Sequence, residues 1–161
     1  MKHRKIAGCI PIKHLEDSKR TSVLLISSRK HHGQLVFPKG GVKNNETAKE
    51  AALRESFEEA GLRGDIIGLL FSKDDKELIC YSDILGLPWD DKVCEELMEK
   101  KETCLWFILD VKCEVTEYPE KGERRKYWMR IEDAKEVKSI SDSTKNLLEK
   151  VEAFLHDCAK K

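Results

Sequence analysis

Two kinds of hydrophobic pattern divide this chain. Short runs that are almost continuously apolar stand at residues 6–12, 21–26, 35–37, 66–71 and 103–111, with a more broken one at 126–131. Runs of that length, bounded by Gly, Pro or charged residues, predict strands, and unbroken apolarity predicts a buried sheet. Residues 14–20 are polar and read as a hairpin loop; Arg63-Gly64-Asp65 reads as a turn into the strand at 66–71. Residues 78–87 are expected to pair with that strand, ending at Gly86-Leu87-Pro88. Elsewhere the period is helical. Residues 47–60 contain no Pro or Gly and are rich in Ala, Glu, Lys, Leu and Arg, which predicts a helix, with Gly61 at its C-cap. Val93, Leu97 and Met98 give residues 90–100 a short amphipathic helix inside an insertion spanning about 72–101. Glu132-Asp133-Ala134 opens another short helix. Ser141-Asp142 caps a terminal helix reaching Cys158, with an apolar stripe of Leu147, Leu148, Val151, Phe154 and Leu155.

Strands on either side of one helix and a second helix at the C-terminus predict an α+β fold, a mixed β-sheet sandwiched between α-helices. At 161 residues with no repeat or low-complexity tract, residues 1–161 read as a single domain. Lys+Arg and Asp+Glu are both 30, so no net field steers the chain toward nucleic acid or a membrane, and stable nucleic-acid binding is not expected. The six Cys, at 9, 80, 94, 104, 113 and 158, form no C-x2-C pair, and several lie in apolar runs. They read as reduced core thiols rather than zinc ligands. No signal peptide or spanning apolar run is present, so the expected location is the cytoplasm, or the nucleus as well, and the expected state a monomer.

The chemistry concentrates in GGVKNNETAKEAALRESFEEAGL, residues 40–62, preceded by Pro38-Lys39. Gly40, Gly41, Asn44 and Asn45 make a turn suited to positive φ and close backbone approach. On the helix that follows, Glu55, Glu58 and Glu59 stand at i, i+3 and i+4, so three carboxylates share one face. Their mutual repulsion gains the fold nothing, and a solvated acidic face would carry the same spacing. Hard oxygens converging on one point are also what Mg²⁺ or Mn²⁺ requires.

Gly40, Glu46, Arg54, Glu55, Glu58, Glu59 and Gly61 resemble the Nudix box, G-x5-E-x7-R-E-U-x-E-E-x-G-U, where U is a bulky apolar residue. One position departs, Ser56, where an aliphatic residue is usual; a Val there should be tolerated or stabilising. The resemblance implies the Nudix fold and the hydrolysis of a phosphoanhydride, commonly a nucleoside diphosphate linked to another moiety, with Mg²⁺ or Mn²⁺. By position, Glu55 and Glu59 would be metal ligands, joined by the backbone carbonyl of Lys39. Glu58 would be a ligand or the base that activates water. Arg54 and Glu46 would form an ion pair orienting the ligands, and Gly40 would shape the loop.

Outside the box, Ala7-Gly8-Cys9-Ile10, Val23 to Ser28, Phe37 to Val42 and Arg124 to Ala134 resemble the diphosphoinositol polyphosphate phosphohydrolases, which also cleave diadenosine polyphosphates. The fungal-type members, with a longer middle insertion, are the most similar. That resemblance implies inositol-phosphate contacts at Arg4, Lys5, Ser27, Ser28, Lys30, Lys101 and Arg124. Gln34 and Leu35 depart from the family's basic residue and Trp. Independently, residues 2–5, Arg29-Lys30 and Arg124-Arg125-Lys126 are three basic clusters at predicted strand ends, which suits a substrate crowded with phosphates. They would equally suit three solvated strand termini. His31-His32 reads as surface, and Trp128 as core rather than a stacking platform. Tyr81 lies near where some dinucleotide hydrolases keep a stacking Tyr. Two alternatives therefore stand: a Nudix enzyme acting on a dinucleoside polyphosphate, mRNA cap or ADP-ribose, and a non-catalytic Nudix module that senses a phosphorylated ligand.

Overall fold

A computed structural model describes residues 4–13, 21–73, 77–82, 86–99 and 104–159. Its strands are β1 (Ile6–Lys13), β2 (Ser22–Ser27), β3 (Leu35–Val36), β4 (Lys39–Gly41), β5 (Leu62–Lys73), β6 (Glu77–Tyr81), β7 (Cys104–Glu114) and β8 (Lys126–Arg130). The helices are α1 (Ala48–Ala60), α2 (Asp91–Met98), α3 (Ile131–Lys135) and α4 (Asp142–Ala159). The main strand order is β3-β2-β1-β7-β5-β6, with β4 pairing β1 and β8 pairing β2. β1 and β7 run parallel from Ile6 opposite Cys104 to Ile12 opposite Asp110, while the other pairs are antiparallel. This is the mixed sheet expected. Its central strands are covered on both sides, which explains why they are apolar without alternation.

One face of the sheet meets α1 and α2, and the other meets α3 and α4 through Ile131, Ala134, Leu147, Leu148, Val151 and Phe154. Helix α1 sits close because its buried face is small: Ala48, Ala51, Ala52, Ser56 and Ala60. The box helix can therefore lie against β1 with its acids still reaching outward. Ser56 is fully buried, and its hydroxyl donates to the Ala52 carbonyl at 2.9 Å; the Cys9 thiol reaches the same carbonyl at 3.4 Å. The Ser56 hydroxyl, at the position where the box usually has an aliphatic residue, thus has a partner.

Two expectations change. The residues read as a turn, Arg63-Gly64-Asp65, belong to β5, which begins directly after Gly61 and absorbs the irregularity as bulges against β7 at Arg63/Gly64 and Ile66/Gly68. The middle segment is built into the fold much as its pattern suggested: β6 pairs with β5, and Cys94, Leu97 and Met98 of α2 join the core. Gly40 and Gly41 do not take positive φ. They form β4, paired with Ala7 and Ile6 of β1, and close approach is what requires them. Gly61 does adopt the left-handed conformation, φ 69°, as a helix-ending glycine should.

All six cysteines are free; Cys9, Cys80 and Cys94 are buried, and Cys113 is exposed. Trp128 is half-buried against the core, its indole N–H donating to Glu114 at 3.0 Å. Among the described residues, no helix is long and apolar enough to cross a membrane.

Candidate active site

Helix α1 is anchored at both ends, and that anchoring aims its acids. At the start, Thr47 and Glu50 make a reciprocal capping box, the Thr47 hydroxyl accepting the Glu50 N–H at 3.1 Å and the Glu50 carboxylate accepting the Thr47 N–H at 3.1 Å. At the far end, the last carbonyls have no partner within the helix. The segment after β7 supplies partners: Glu120 N–H donates to the Glu58 carbonyl (2.9 Å), Val115 N–H to Gly61 (2.7 Å), and the Lys126 ammonium to Ala60 (2.7 Å). Capping the helix thus brings residues 115–126 onto the acidic face.

Arg54 organises that face from within. Its Nε and Nη2 grip both oxygens of Glu46 at 2.7 and 3.0 Å, Nη1 reaches Glu55 at 2.7 Å and Glu58 at 3.3 Å, and Nη2 also donates to the Gly41 carbonyl at 3.0 Å. The hydrogen bond to Arg54 holds the Glu46 carboxyl below its usual range, and the one to Glu46 in turn raises Arg54. The expected Arg54–Glu46 pair is present, and it ties the β4 loop to the helix.

Glu59 lies deeper, its side chain 7% exposed. One oxygen accepts the Lys39 N–H at 3.0 Å and the other accepts Arg124 Nη2 at 2.9 Å. Burial pushes its carboxyl up to about 8, Arg124 pulls it down, and the charges of Glu55 and Glu120 push it up again. Glu55 is also raised, first by burial and with Glu58 and Glu120 adding to it against Arg54. Glu58 is the most open of the three, at 31%. Gly40 runs past this group so closely that a Cβ there would overlap the Glu55 carboxyl.

These carboxylates, with the nearby Lys39 backbone, are hard oxygen donors of the kind that Mg²⁺ or Mn²⁺ takes, and Glu55 and Glu59 are raised first by burial, with neighbouring carboxylates adding to it. Gly40 leaves the Glu55 carboxyl room at the strand. As the side chains stand, Arg54 and Arg124 supply the compensating positive charge. No three Asp, Glu, His or Cys side chains among the described residues already enclose a common point. The donor set fits the ion.

Two residues at the site carry no signal in box spacing. Glu120 accepts from Arg124 Nε and from Arg29 Nη1, both at 3.2 Å. It adds a fourth acid beside Glu55 and Glu59. Arg125 is the other: its N–H donates to the Ser27 hydroxyl at 2.8 Å while its carbonyl accepts the Ser27 N–H at 3.0 Å.

The expected phosphate-contacting residues divide between clefts. Ser27, Ser28 and Arg124 border one cleft of about 690 Å³, together with Arg29, Arg125 and Tyr127. Both serine oxygens there accept backbone N–H groups, Ser28 from His31 at 2.9 Å, so each hydroxyl proton is left to donate outward. Arg124 is the wall shared with the acids, because it also donates to the Ser27 carbonyl at 3.2 Å. Lys30 is exposed on the same loop. Arg4 borders a second cleft, of about 480 Å³, with Lys39, Phe37, Trp106 and Thr144. Lys5 faces α2, paired with Glu99 at 3.8 Å. Two of the basic clusters meet around Arg124, and Arg4 borders the second cleft, which shares Gln34 with the first. Lys101 lies outside the described residues.

The description of the NUDIX domain matches residues 2–151. The chain belongs to the Nudix family of hydrolases. It is 36% identical over 141 residues to Nudix hydrolase 16, mitochondrial, of Arabidopsis thaliana, covering 83% of this chain and 71% of that protein. It is 32% identical over 114 residues to diphosphoinositol polyphosphate phosphohydrolase 2 of Rattus norvegicus, covering 66% of this chain and 59% of the relative. A C. elegans Ap4A hydrolase in a binary complex shares the fold, with a TM-score of 0.59 at 21% identity over 95% of this chain and 98% of that one. The Nudix box of this protein thus sits in a Nudix fold, as its motif implied.

Proposed function

We propose that this Nudix protein hydrolyses a phosphoanhydride in a polyphosphorylated small molecule, dependent on Mg²⁺ or Mn²⁺, with diphosphoinositol polyphosphates preferred and diadenosine polyphosphates also cleaved. The observation that carries the reading is Arg124. It joins Glu59 and Glu120 to a cleft whose polar lining includes two serine hydroxyls and the guanidiniums of Arg29 and Arg125, beside Gln34, His32 and Glu123. Anion recognition and the acidic face therefore share one side chain.

Glu55, Glu59 and the Lys39 carbonyl would hold the ion. When bound, it neutralises charge on the phosphate oxygens and aligns the anhydride for in-line attack. The residues do the rest. Arg54 holds Glu55 and keeps Glu58 at the edge of the group. Glu58, accessible and loosely held, takes the proton of the attacking water. Ser27, Ser28, Arg124 and Arg125 grip the phosphates not being cleaved, each as a charge-assisted donor. The likeness to the rat phosphohydrolase supports the substrate choice.

A phosphate-release assay over a diphosphoinositol polyphosphate, a diadenosine polyphosphate, a cap analogue and ADP-ribose, with Mg²⁺, Mn²⁺ or chelator, tests this. The highest kcat/KM is expected on the diphosphoinositol compound, abolished by chelation. Preference for the cap or ADP-ribose would replace the substrate assignment. Binding without turnover would make the protein a sensor.

A further inference from the structure

The cleft beside Arg124 has a tyrosine in its lining, which phosphate recognition does not need. Tyr127 is among the few large hydrophobic side chains left exposed among the described residues, 37%, although it lies on β8 opposite Leu25, which is fully buried. Its neighbours around the cleft include Arg124, Arg125, Ser27, Ser28 and Leu35, with Glu123 also on the rim. A ring phosphorylated on every side offers only charge and would be met by cations all round. An aromatic face set among guanidiniums matches a different ligand, one with a flat ring at one end and phosphates at the other.

We infer that Tyr127 is a base-stacking platform, and that this cleft accommodates a nucleoside polyphosphate with its base on the Tyr127 ring and its phosphate chain running past Arg125 and Ser28 toward Arg124. The inference rests on the reading of this cleft as the substrate cleft and adds a specificity residue to it. The strand geometry supplies the rigidity stacking needs. Arg125, the residue before Lys126, is pinned to Ser27 through both its N–H and its carbonyl, and β8 continues antiparallel to β2 through Tyr127. The Tyr127 backbone is thus held in register beside β2. Leu35, on β3 across β2, provides an apolar boundary on the opposite side. A cleft of about 690 Å³ has room for a nucleoside and several phosphates, within the roughly 300–1,000 Å³ typical of small-molecule sites. The same cleft can then serve two substrate classes by different walls: the serines and arginines for any phosphate, Tyr127 only for a base.

The test compares Tyr127→Ala and Tyr127→Phe by equilibrium binding, with Mg²⁺ present and in a Glu58→Gln background so that no ligand is consumed. The probes are an etheno-adenosine diadenosine polyphosphate, whose fluorescence is quenched by stacking, and inositol hexakisphosphate. Tyr127→Ala should weaken the adenosine probe roughly 10- to 100-fold and abolish its quenching. Tyr127→Phe should keep both, because the ring rather than the hydroxyl is used. The ratio of affinities for the two probes should move by nearly the full amount. Equal losses for both probes, or unaltered quenching in folded Tyr127→Ala, would overturn the inference. Binding is read without turnover, so a wild-type protein that hydrolyses neither compound would sink the hydrolase reading while the Tyr127 result still stood or fell separately.

Discussion

Single residues at this site do different jobs although they share a face. Glu58→Gln should lower kcat by about 10²- to 10⁴-fold, the usual contribution of a positioned acid or base, with melting temperature and circular dichroism unchanged. Wild-type turnover in that folded variant would remove Glu58 from the chemistry. Glu59 behaves otherwise because it is buried. Its carboxyl is raised to about 8 in the folded protein against 4.5 for the free group, so the folded state holds a proton that the unfolded chain releases earlier. Its contribution to stability is therefore full below pH 4.5 and is lost as pH rises through about 8. The metal-free protein should melt at lower temperature at pH 8.5 than at pH 5.5, and Glu59→Gln should flatten that slope. Metal uptake should release protons across the same window, which calorimetry in buffers of different ionisation enthalpy would show. At Ser56 the structure reverses an expectation drawn from the motif. Ser56→Val removes a buried hydrogen bond and should lower stability by about 1 kcal/mol rather than raise it, measured by denaturant titration.

At the scale of elements, the box is a strand, a turn and a helix whose relative placement is the active feature. Gly40 lies on β4 where any Cβ would strike the Glu55 carboxyl, which is the movable end of a flexible side chain. Gly40→Ala should therefore fold nearly as well as the wild type yet displace Glu55, losing Mn²⁺ affinity by electron paramagnetic resonance titration and activity with it. Equal loss of stability and metal affinity would mean that β4 itself is disturbed. The helix has its own anchor. Thr47→Ala breaks the capping box and should cost about 1 kcal/mol, seen in thermal unfolding, with the metal affinity of the folded protein little changed. The capping box is written in sequence as Thr47 and Glu50, three apart. The other end is not legible in the same way, since the caps on Glu58, Ala60 and Gly61 come from residues more than fifty positions later.

Over the whole molecule, the charge is balanced in sum and sorted locally. Arg124 is 11% exposed and pairs with Glu59 and Glu120, so it cannot be treated as a surface phosphate contact alone. Arg124→Ala should leave the buried Glu59 without its cation, and Glu120 with Arg29 alone, and destabilise the metal-free protein by about 3–5 kcal/mol, with Mg²⁺ restoring part of the loss. Destabilisation below 1 kcal/mol by denaturant titration would show the pair to be incidental. Arg4, on a different cleft, should shift KM for an inositol substrate less than Arg125 does.

The pairing of Arg54 with Glu46 was implied by the resemblance to the Nudix box; the sequence by itself determined the sheet strands other than β4, the box helix and its glycine stop, and the face shared by Glu55, Glu58 and Glu59. Each depends on spacing within one segment, where helix and strand periods convert position directly into direction. Family membership was legible for the same reason, because the box is a local pattern. Tertiary structure alone decided that β5 starts at Leu62 rather than after a turn, since its register is set by β7. It also decided that Glu120 and Arg124 close on Glu59, because the open carbonyls at the end of α1 draw that segment in. The basic clusters at residues 4–5, 29–30 and 124–126 look alike in composition. Only the antiparallel pairing of β2 with β8 brings the last two around one cleft and leaves the first beside β4 and α2.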